Sequence, residues 1–140
     1  MRKDRRLRRL VVDELTTYLW NFRQKKGVDG VWRDIVTLHR GGRRTRFVFR
    51  AGGAGSGRYV SEGDIWFQGW AMGGQGAGIN LREPAVVRAL LDEANRRGLL
   101  PSGDGELDGW EFFHAVAEAV DLRRAAAATP GVPPGSPPGP

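Results

Sequence analysis

Residues 31–72, VWRDIVTLHRGGRRTRFVFRAGGAGSGRYVSEGDIWFQGWAM, are rich in β-branched and aromatic side chains and hold three of the five tryptophans, Trp32, Trp66 and Trp70. Within them Gly41-Gly42 separates two runs of strand-forming residues. That pattern marks a two-residue hairpin turn, because both central positions of such a turn take positive φ. Centring the turn there opposes Arg40 to Arg43, Leu38 to Thr45 and Val36 to Phe47. Side chains alternate along a strand. Val36, Leu38, Phe47 and Phe49 therefore share one apolar face, which predicts a core. Ile35, Thr37, His39, Arg44, Arg46, Val48 and Arg50 share the other, which is half polar and predicts contact with water.

A second hairpin is predicted at Ser61-Glu62-Gly63. Gly63 suits the left-handed position that closes a three-residue loop, whereas a two-residue turn forces Glu62 to positive φ. The two alternatives differ by one residue in register and exchange the faces of Arg58, Tyr59 and Val60. In either, Trp66, Gln68 and Trp70 share one face of the last strand and Ile65 and Phe67 share the other. The second pair is expected in the core.

Working outward, residues 5–24 carry Leu7, Val11, Leu15, Tyr18 and Phe22 at three- and four-residue steps, widened by Leu10 and Leu19, and so predict an amphipathic helix. Its first turn is crowded with Arg2, Lys3, Arg5, Arg6, Arg8 and Arg9. Cations there oppose the positive end of the helix dipole. The segment reads as a solvated end, a basic arm for nucleic acid, or a membrane-surface helix. Core packing explains its apolar stripe without lipid.

Residues 81–98, LREPAVVRALLDEANRRG, predict a second helix that buries Val87, Leu90, Leu91 and Ala94, with Arg88–Asp92 and Glu93–Arg97 paired outside. It starts either at an Asn80/Glu83 capping box or with Pro84 as first helical residue, and Gly98 ends it. A third helix is predicted over 109–124, with Trp110, Phe113, Val116, Ala117 and Val120 on one stripe. The tail 129–140, TPGVPPGSPPGP, has one apolar residue apart from its prolines and is expected to be disordered and extended. It has no P-x-x-P flanked by arginine.

Three motifs invite chemistry. The glycine loops 51–57 and 73–78 keep neither the G-x-G-x-x-G spacing nor a following Gly-Lys-Ser/Thr, so they read as connections rather than phosphate cradles. Asp104-Gly-Glu106-Leu-Asp108-Gly109 is similar to the first half of a calcium loop, but Ala115 stands where the bidentate glutamate belongs. Asp108 as a helix cap, with Glu111 completing the box, accounts for it better, and no metal is expected. Two histidines, His39 and His114, have no nucleophile beside them. A site would need spatial clustering of Asp64, His39 and Arg46, and the chain is read as non-enzymatic, without cofactor.

A chain of 140 residues supports one core, placed in a single domain over 1–128. It lacks cysteine, which fits a reducing compartment, and has neither a bilayer-length apolar run nor a signal-peptide pattern, so a cytoplasmic protein is expected. Charge is unevenly spread. Residues 1–50 hold 15 Arg/Lys against 5 Asp/Glu, and residues 51–140 hold 7 against 11. Such asymmetry is the footprint of a polyanion partner. The 19 arginines against 3 lysines, with abundant Gly, Ala and Pro, also fit a GC-rich genome.

The unit built from the predicted meander, an asparagine or proline helix start and EPAVVRALLDEANRRGLLP, about residues 31–101, resembles small bacterial α+β domains to which no activity is attached. The resemblance implies a partner-binding module rather than an enzyme. The resulting expectation is an α+β fold: an N-terminal helix, a four-stranded antiparallel β-meander (about 31–40, 43–50, 58–61 and 64–72), two C-terminal helices and the disordered tail. Trp66, Gln68 and Trp70 would lie near Arg44 and Arg46 as a hot spot for an acidic protein partner, as in an adaptor or immunity-type protein, or be covered by the N-terminal helix. The alternative is nucleic-acid binding through Arg2, Lys3, Arg5, Arg6, Arg8, Arg9 and Arg43 in the basic half.

Overall fold

The structure, a computed structural model, describes residues 6–53, 55–63 and 66–128. Two hairpins open the chain, β1 (Arg8–Asp13) with β2 (Thr16–Lys26) and β3 (Trp32–Arg40) with β4 (Arg43–Arg50). After a long connection come β5 (Trp70–Met72), β6 (Gly78–Asn80), α1 (Pro84–Arg96), β7 (Gly105–Asp108), a 3₁₀ turn (Gly109–Phe112) and α2 (Phe113–Ala128). The main sheet has the order β1-β2-β3-β4-β7, antiparallel except for the parallel β4–β7 pair, and β5–β6 form a small second sheet. The fold is mostly sheet. No helix among the described residues is long and apolar enough to cross a membrane.

The α+β arrangement expected from the sequence is overturned at its N-terminal end. Residues 8–26 form a β-hairpin, not an amphipathic helix. The turn forms at Asp13, whose carboxylate accepts from the Leu15 backbone N–H at 2.8 Å, an Asx turn that breaks a helix before it can propagate. In β2 the buried or half-buried Tyr18, Trp20, Phe22 and Gln24 alternate with Leu19, Asn21, Arg23 and Lys25, and a strand buries this period-two set on one face. Leu15, on the supposed helical stripe, is 92% exposed at the turn.

The four-stranded meander is also corrected. The central hairpin has the register that the Gly41-Gly42 turn predicts, Arg40 opposite Arg43 and Val36 opposite Phe47, with both glycines at positive φ. Residues 58–61, however, contribute one bridge, Tyr59 to Met72, and the strand at 64–72 shrinks to β5, which pairs with β6. The fourth neighbour in the main sheet's central region is β7, drawn from the segment that resembled a calcium loop. Phe67 is 62% exposed rather than in the core; Ile65 and Asp64 lie outside the described residues, as does the tail expectation for 129–140.

The core lies between one face of the main sheet and the helices. Trp20, Val36, Leu38, Phe47 and Phe49 from the sheet meet Val86, Val87, Leu90 and Ala94 of α1 and Phe112, Phe113 and Val116 from the last turn and helix. Aromatic edges close it, Phe47 on Phe112 at 5.5 Å and Phe49 on Trp110 at 5.3 Å between centroids, both T-shaped. Gly109 is required here, since a Cβ would stand 2.4 Å from the Phe49 ring. Asp108 caps the following turn by accepting from the Trp110 N–H at 3.0 Å, and Pro84 is the first residue of α1. The Arg88–Asp92 and Arg97–Glu93 pairs form on the outside of α1.

The hairpin assignment has a direct consequence for stability. Trp20→Ala is expected to lose about 3–5 kcal/mol in denaturant unfolding, as large aromatic truncations in a core do. Leu15→Ala is expected to stay within about 0.5 kcal/mol. Comparable losses for the two would restore the buried helical stripe.

Candidate functional site

Among the described residues, helices cover one face of the main sheet. The observed register places Arg9, Leu19, Asn21, Arg23, Lys25, Arg33, Ile35, Thr37 and His39 of β1–β3 on the other face. Arg44, Arg46, Val48 and Arg50 of β4 and Glu106 and Asp108 of β7 complete it. Seven of these side chains are arginine or lysine and two are acidic. Ile35 and Thr37 are buried although no helix lies over them. Their cross-strand neighbours, Arg23 and Val48 beside Ile35 and Asn21 and Arg46 beside Thr37, wall them in, and long arginine stems cover apolar floor while their heads stay wet.

Two concavities run across this face. One, of about 520 Å³, has Ile35 and Val48 on its floor with Arg23, Lys25, Arg33 and Arg46 around it. The other, of about 830 Å³, continues past Arg50 to Gly52-Gly53, Arg58 and Trp110. They share Arg33, Val48 and Glu106. Arg23, Lys25 and Arg46 have no salt-bridge partner among the described residues, whereas Arg33 and Arg50 share the Asp29 carboxylate at 2.9 and 3.0 Å. The Arg33 hydrogen bond, with the Val31 N–H, holds the Asp29 carboxyl well below the usual range, so it stays ionised and fixes both guanidiniums at the rim. Burial, then Arg44 and Arg46, pushes the His39 imidazole below its ordinary value, and it is neutral at neutral pH.

The residues singled out from the sequence are divided by the fold. Arg44 and Arg46 lie on this open face, with Asp104 accepting from the Arg44 backbone N–H at 2.8 Å and pairing with its guanidinium at 3.5 Å. Trp66, Gln68 and Trp70 lie in and just before the small sheet, not on the main-sheet strand that carries Arg44 and Arg46. Trp70 joins Val60, Ser61, Phe67 and Met72 around an apolar groove of about 390 Å³, and Trp66 is 84% exposed. Covering by an N-terminal helix is overturned with the helix itself. Of the basic-arm residues, Arg2, Lys3 and Arg5 lie outside the described residues. Arg6 is exposed. Arg8 packs over Trp20 at 4.7 Å and donates to the Arg82 carbonyl. Arg43 donates to the Ser102 carbonyl. Of the described members of this set, Arg9 alone is on the open face.

Reasoning from the sequence missed Arg23, Lys25 and Arg33. The signal for the first two was present in the alternation of residues 18–25, read at the wrong period. The acidic segment 104–109 holds no metal cluster; among the described residues no group of three His, Asp or Glu side chains converges as one. Compared with known proteins, the chain matches no family model, no curated protein and no solved structure.

A buried polar clamp sets the position of the apolar groove. Gln24 Nε2 donates to Asp34 Oδ1 at 2.6 Å and to Ser61 Oγ at 2.9 Å, and Gln24 Oε1 accepts from the Gly63 N–H at 2.7 Å. This holds the 61–63 turn against the sheet with Glu62 at φ +50°, a strained value for a side chain with a Cβ. Glu62 thus takes the positive φ that looked costly from sequence, although among the described residues 58–61 pair only through the Tyr59–Met72 bridge. Asp34 Oδ2 is buried without a hydrogen-bond partner. Burial pushes the Asp34 carboxyl up to about 7, against a hydrogen bond from Gln24 that favours ionisation.

A carboxyl that holds its proton more tightly folded than unfolded stabilises at low pH, and that contribution is lost as pH rises through the folded value. Stability is therefore expected to fall between about pH 4 and pH 7, by an amount on the order of 3–4 kcal/mol for a shift of roughly three pH units. Asp34→Asn is expected to flatten this dependence and to raise the melting temperature at about pH 8. A mutant with an unchanged pH profile would show that Asp34 does not titrate in that window.

Proposed function

We propose that this chain is a nucleic-acid-binding protein that uses the open face of its main sheet. The observation that carries the reading is the convergence of Arg9, Arg23, Lys25, Arg33, Arg44, Arg46 and Arg50 on one face that no helix among the described residues covers. Cations gathered over concave ground, Arg23, Lys25 and Arg46 among them without a salt bridge among the described residues, attract a phosphate backbone by releasing its counterions. The basic half identified from the sequence contributes through β2, β3 and β4, not through an N-terminal arm. The reading needs no catalytic group or cofactor, and with a cysteine-free chain it fits a cytoplasmic setting.

A second reading, a protein-interaction module, is favoured by a different observation. Exposed Phe67 and Met72 line the apolar groove beside Trp70, and aromatic anchors of this kind dominate protein interfaces. That surface would take an apolar anchor from a partner rather than an acidic one, since its lining is nearly free of charge.

Oligonucleotide binding separates the readings. Micromolar affinity at about 50 mM salt, falling by roughly 10³-fold or more by about 200 mM, is expected if some six phosphates are contacted. Arg46→Glu with Arg23→Glu should weaken binding at least about tenfold at low salt, while Trp66→Ala with Phe67→Ala should leave it intact. Absence of binding at low salt would remove nucleic acid from consideration and leave the apolar groove as the better-supported surface.

A further inference from the structure

We infer that the 61–63 turn is a pH-operated latch on the apolar groove, closed while Asp34 carries its proton and lifted off the sheet when Asp34 ionises. The inference concerns the second of the two surfaces and stands whether or not the open face binds nucleic acid. One amide, that of Gln24, joins the Asp34 carboxyl to Ser61 and Gly63. Asp34 Oδ1 accepts a hydrogen bond there, and the buried Oδ2 has no partner. Protonated, the carboxyl leaves one polar atom unsatisfied. Ionised, it leaves a buried charge with a single donor, which costs far more. The charged groups around it do not compensate. Across β2 it faces Gln24, and the next side chain on that face, Lys26, is exposed with its ammonium over the Trp32 ring at 5.9 Å. Across β4 it faces Phe49, and the turn adds Ser61 and the exposed Glu62. Burial raises the carboxyl against the Gln24 hydrogen bond, and no charged side chain among the described residues adds to either effect.

Water reaches an ionised Asp34 only if a neighbouring element moves, and the turn is the element that moves most easily. β2 and β4 are held to β3 by continuous ladders on either side of Asp34. Residues 58–61 pair through the Tyr59–Met72 bridge, and Glu62 sits at φ +50°. Opening the turn therefore gives up few hydrogen bonds and relieves backbone strain. Val60 and Ser61 belong to the groove wall, beside Phe67, Trp70 and Met72. Lifting the turn removes that wall. The groove is thus complete at acidic pH and dismantled as pH rises through the value at which folded Asp34 ionises, the direction that a raised carboxyl requires. An apolar anchor seated there would be held at low pH and released above it.

The test is backbone amide exchange on the full chain, with each rate divided by its intrinsic base-catalysed value. The Gly63 N–H, bonded to Gln24 Oε1, is expected to lose at least about tenfold in protection between about pH 5 and about pH 8.5. At the higher pH its exchange should be insensitive to dilute urea, because a local opening exposes little surface, while amides of the β3–β4 ladder respond steeply. Asp34→Asn should remove the pH step at Gly63. Protection of Gly63 that does not change with pH would overturn the inference. So would a urea dependence equal to that of the ladder amides, since pH would then act on the whole fold and not on a latch. A pH step that survives in Asp34→Asn would assign it to another group. The wild-type measurements decide even if Asp34→Asn fails to fold.

Discussion

One-sided burial of the main sheet is the constraint on which the rest depends. Trp20, Val36, Leu38, Phe47 and Phe49 all project to the same side, and the two helices are committed to covering them. Strand side chains alternate strictly, so everything between those residues is sent to the opposite side. The basic face is therefore a by-product of register as much as of composition. A slip of one residue in β2 would bury Arg23 and expose Trp20. The aromatic weight of the core makes that slip prohibitive, and the same weight keeps the arginines in place.

The parallel addition of β7 shows how the remaining edge is managed. β4 would be left with unpaired backbone groups beside an apolar core, and exposed edges invite pairing with other chains. A four-residue strand from the α1–α2 connection fills the position. It brings Asp104 to the Arg44 backbone and Glu106 and Asp108 to the open face. Acidic residues at that edge bound the basic field on one side. Asp108 then ends the strand by capping the next turn, which delivers Trp110 and Phe112 to the core. The acids that resembled metal ligands have strand, cap and edge duties instead.

What could be read in the sequence was what depends on local rules. The Gly41-Gly42 turn needs two positive φ values, and its register followed from that alone. The Pro84 start and the outward ion pairs of α1 were equally local. The N-terminal hairpin was not read, because Leu7, Val11, Leu15, Tyr18 and Phe22 match a helical period while Tyr18, Trp20, Phe22 and Gln24 match a strand. Only partners far along the chain, β3 for β2, decide between them. The Trp66–Trp70 face failed for a similar reason. Its strand needed a neighbour from the meander, and it found β6 across the glycine loop. Arg44 and Arg46 were placed on the correct face, but the company they keep, Arg23, Lys25 and Arg33, came from the segments misread or passed over.

The separation of the two candidate surfaces carries the last step. The apolar groove belongs to the small sheet, whose Ala71 and Ile79 are buried in the core on the helix side of the molecule. The basic face is the reverse side of the main sheet. The Gln24–Asp34 clamp links them, because Gln24 lies on β2 directly between Arg23 and Lys25 of that face while its amide holds the 61–63 turn of the groove. Alternation sends Gln24 inward and its two basic neighbours outward. A change that moves β2 is thereby felt at both surfaces, whereas substitutions confined to Trp66 or to Arg46 act on one. The sheet is thus the shared mechanical element: its open side presents mostly cations, and on the covered side the core is extended by the apolar groove.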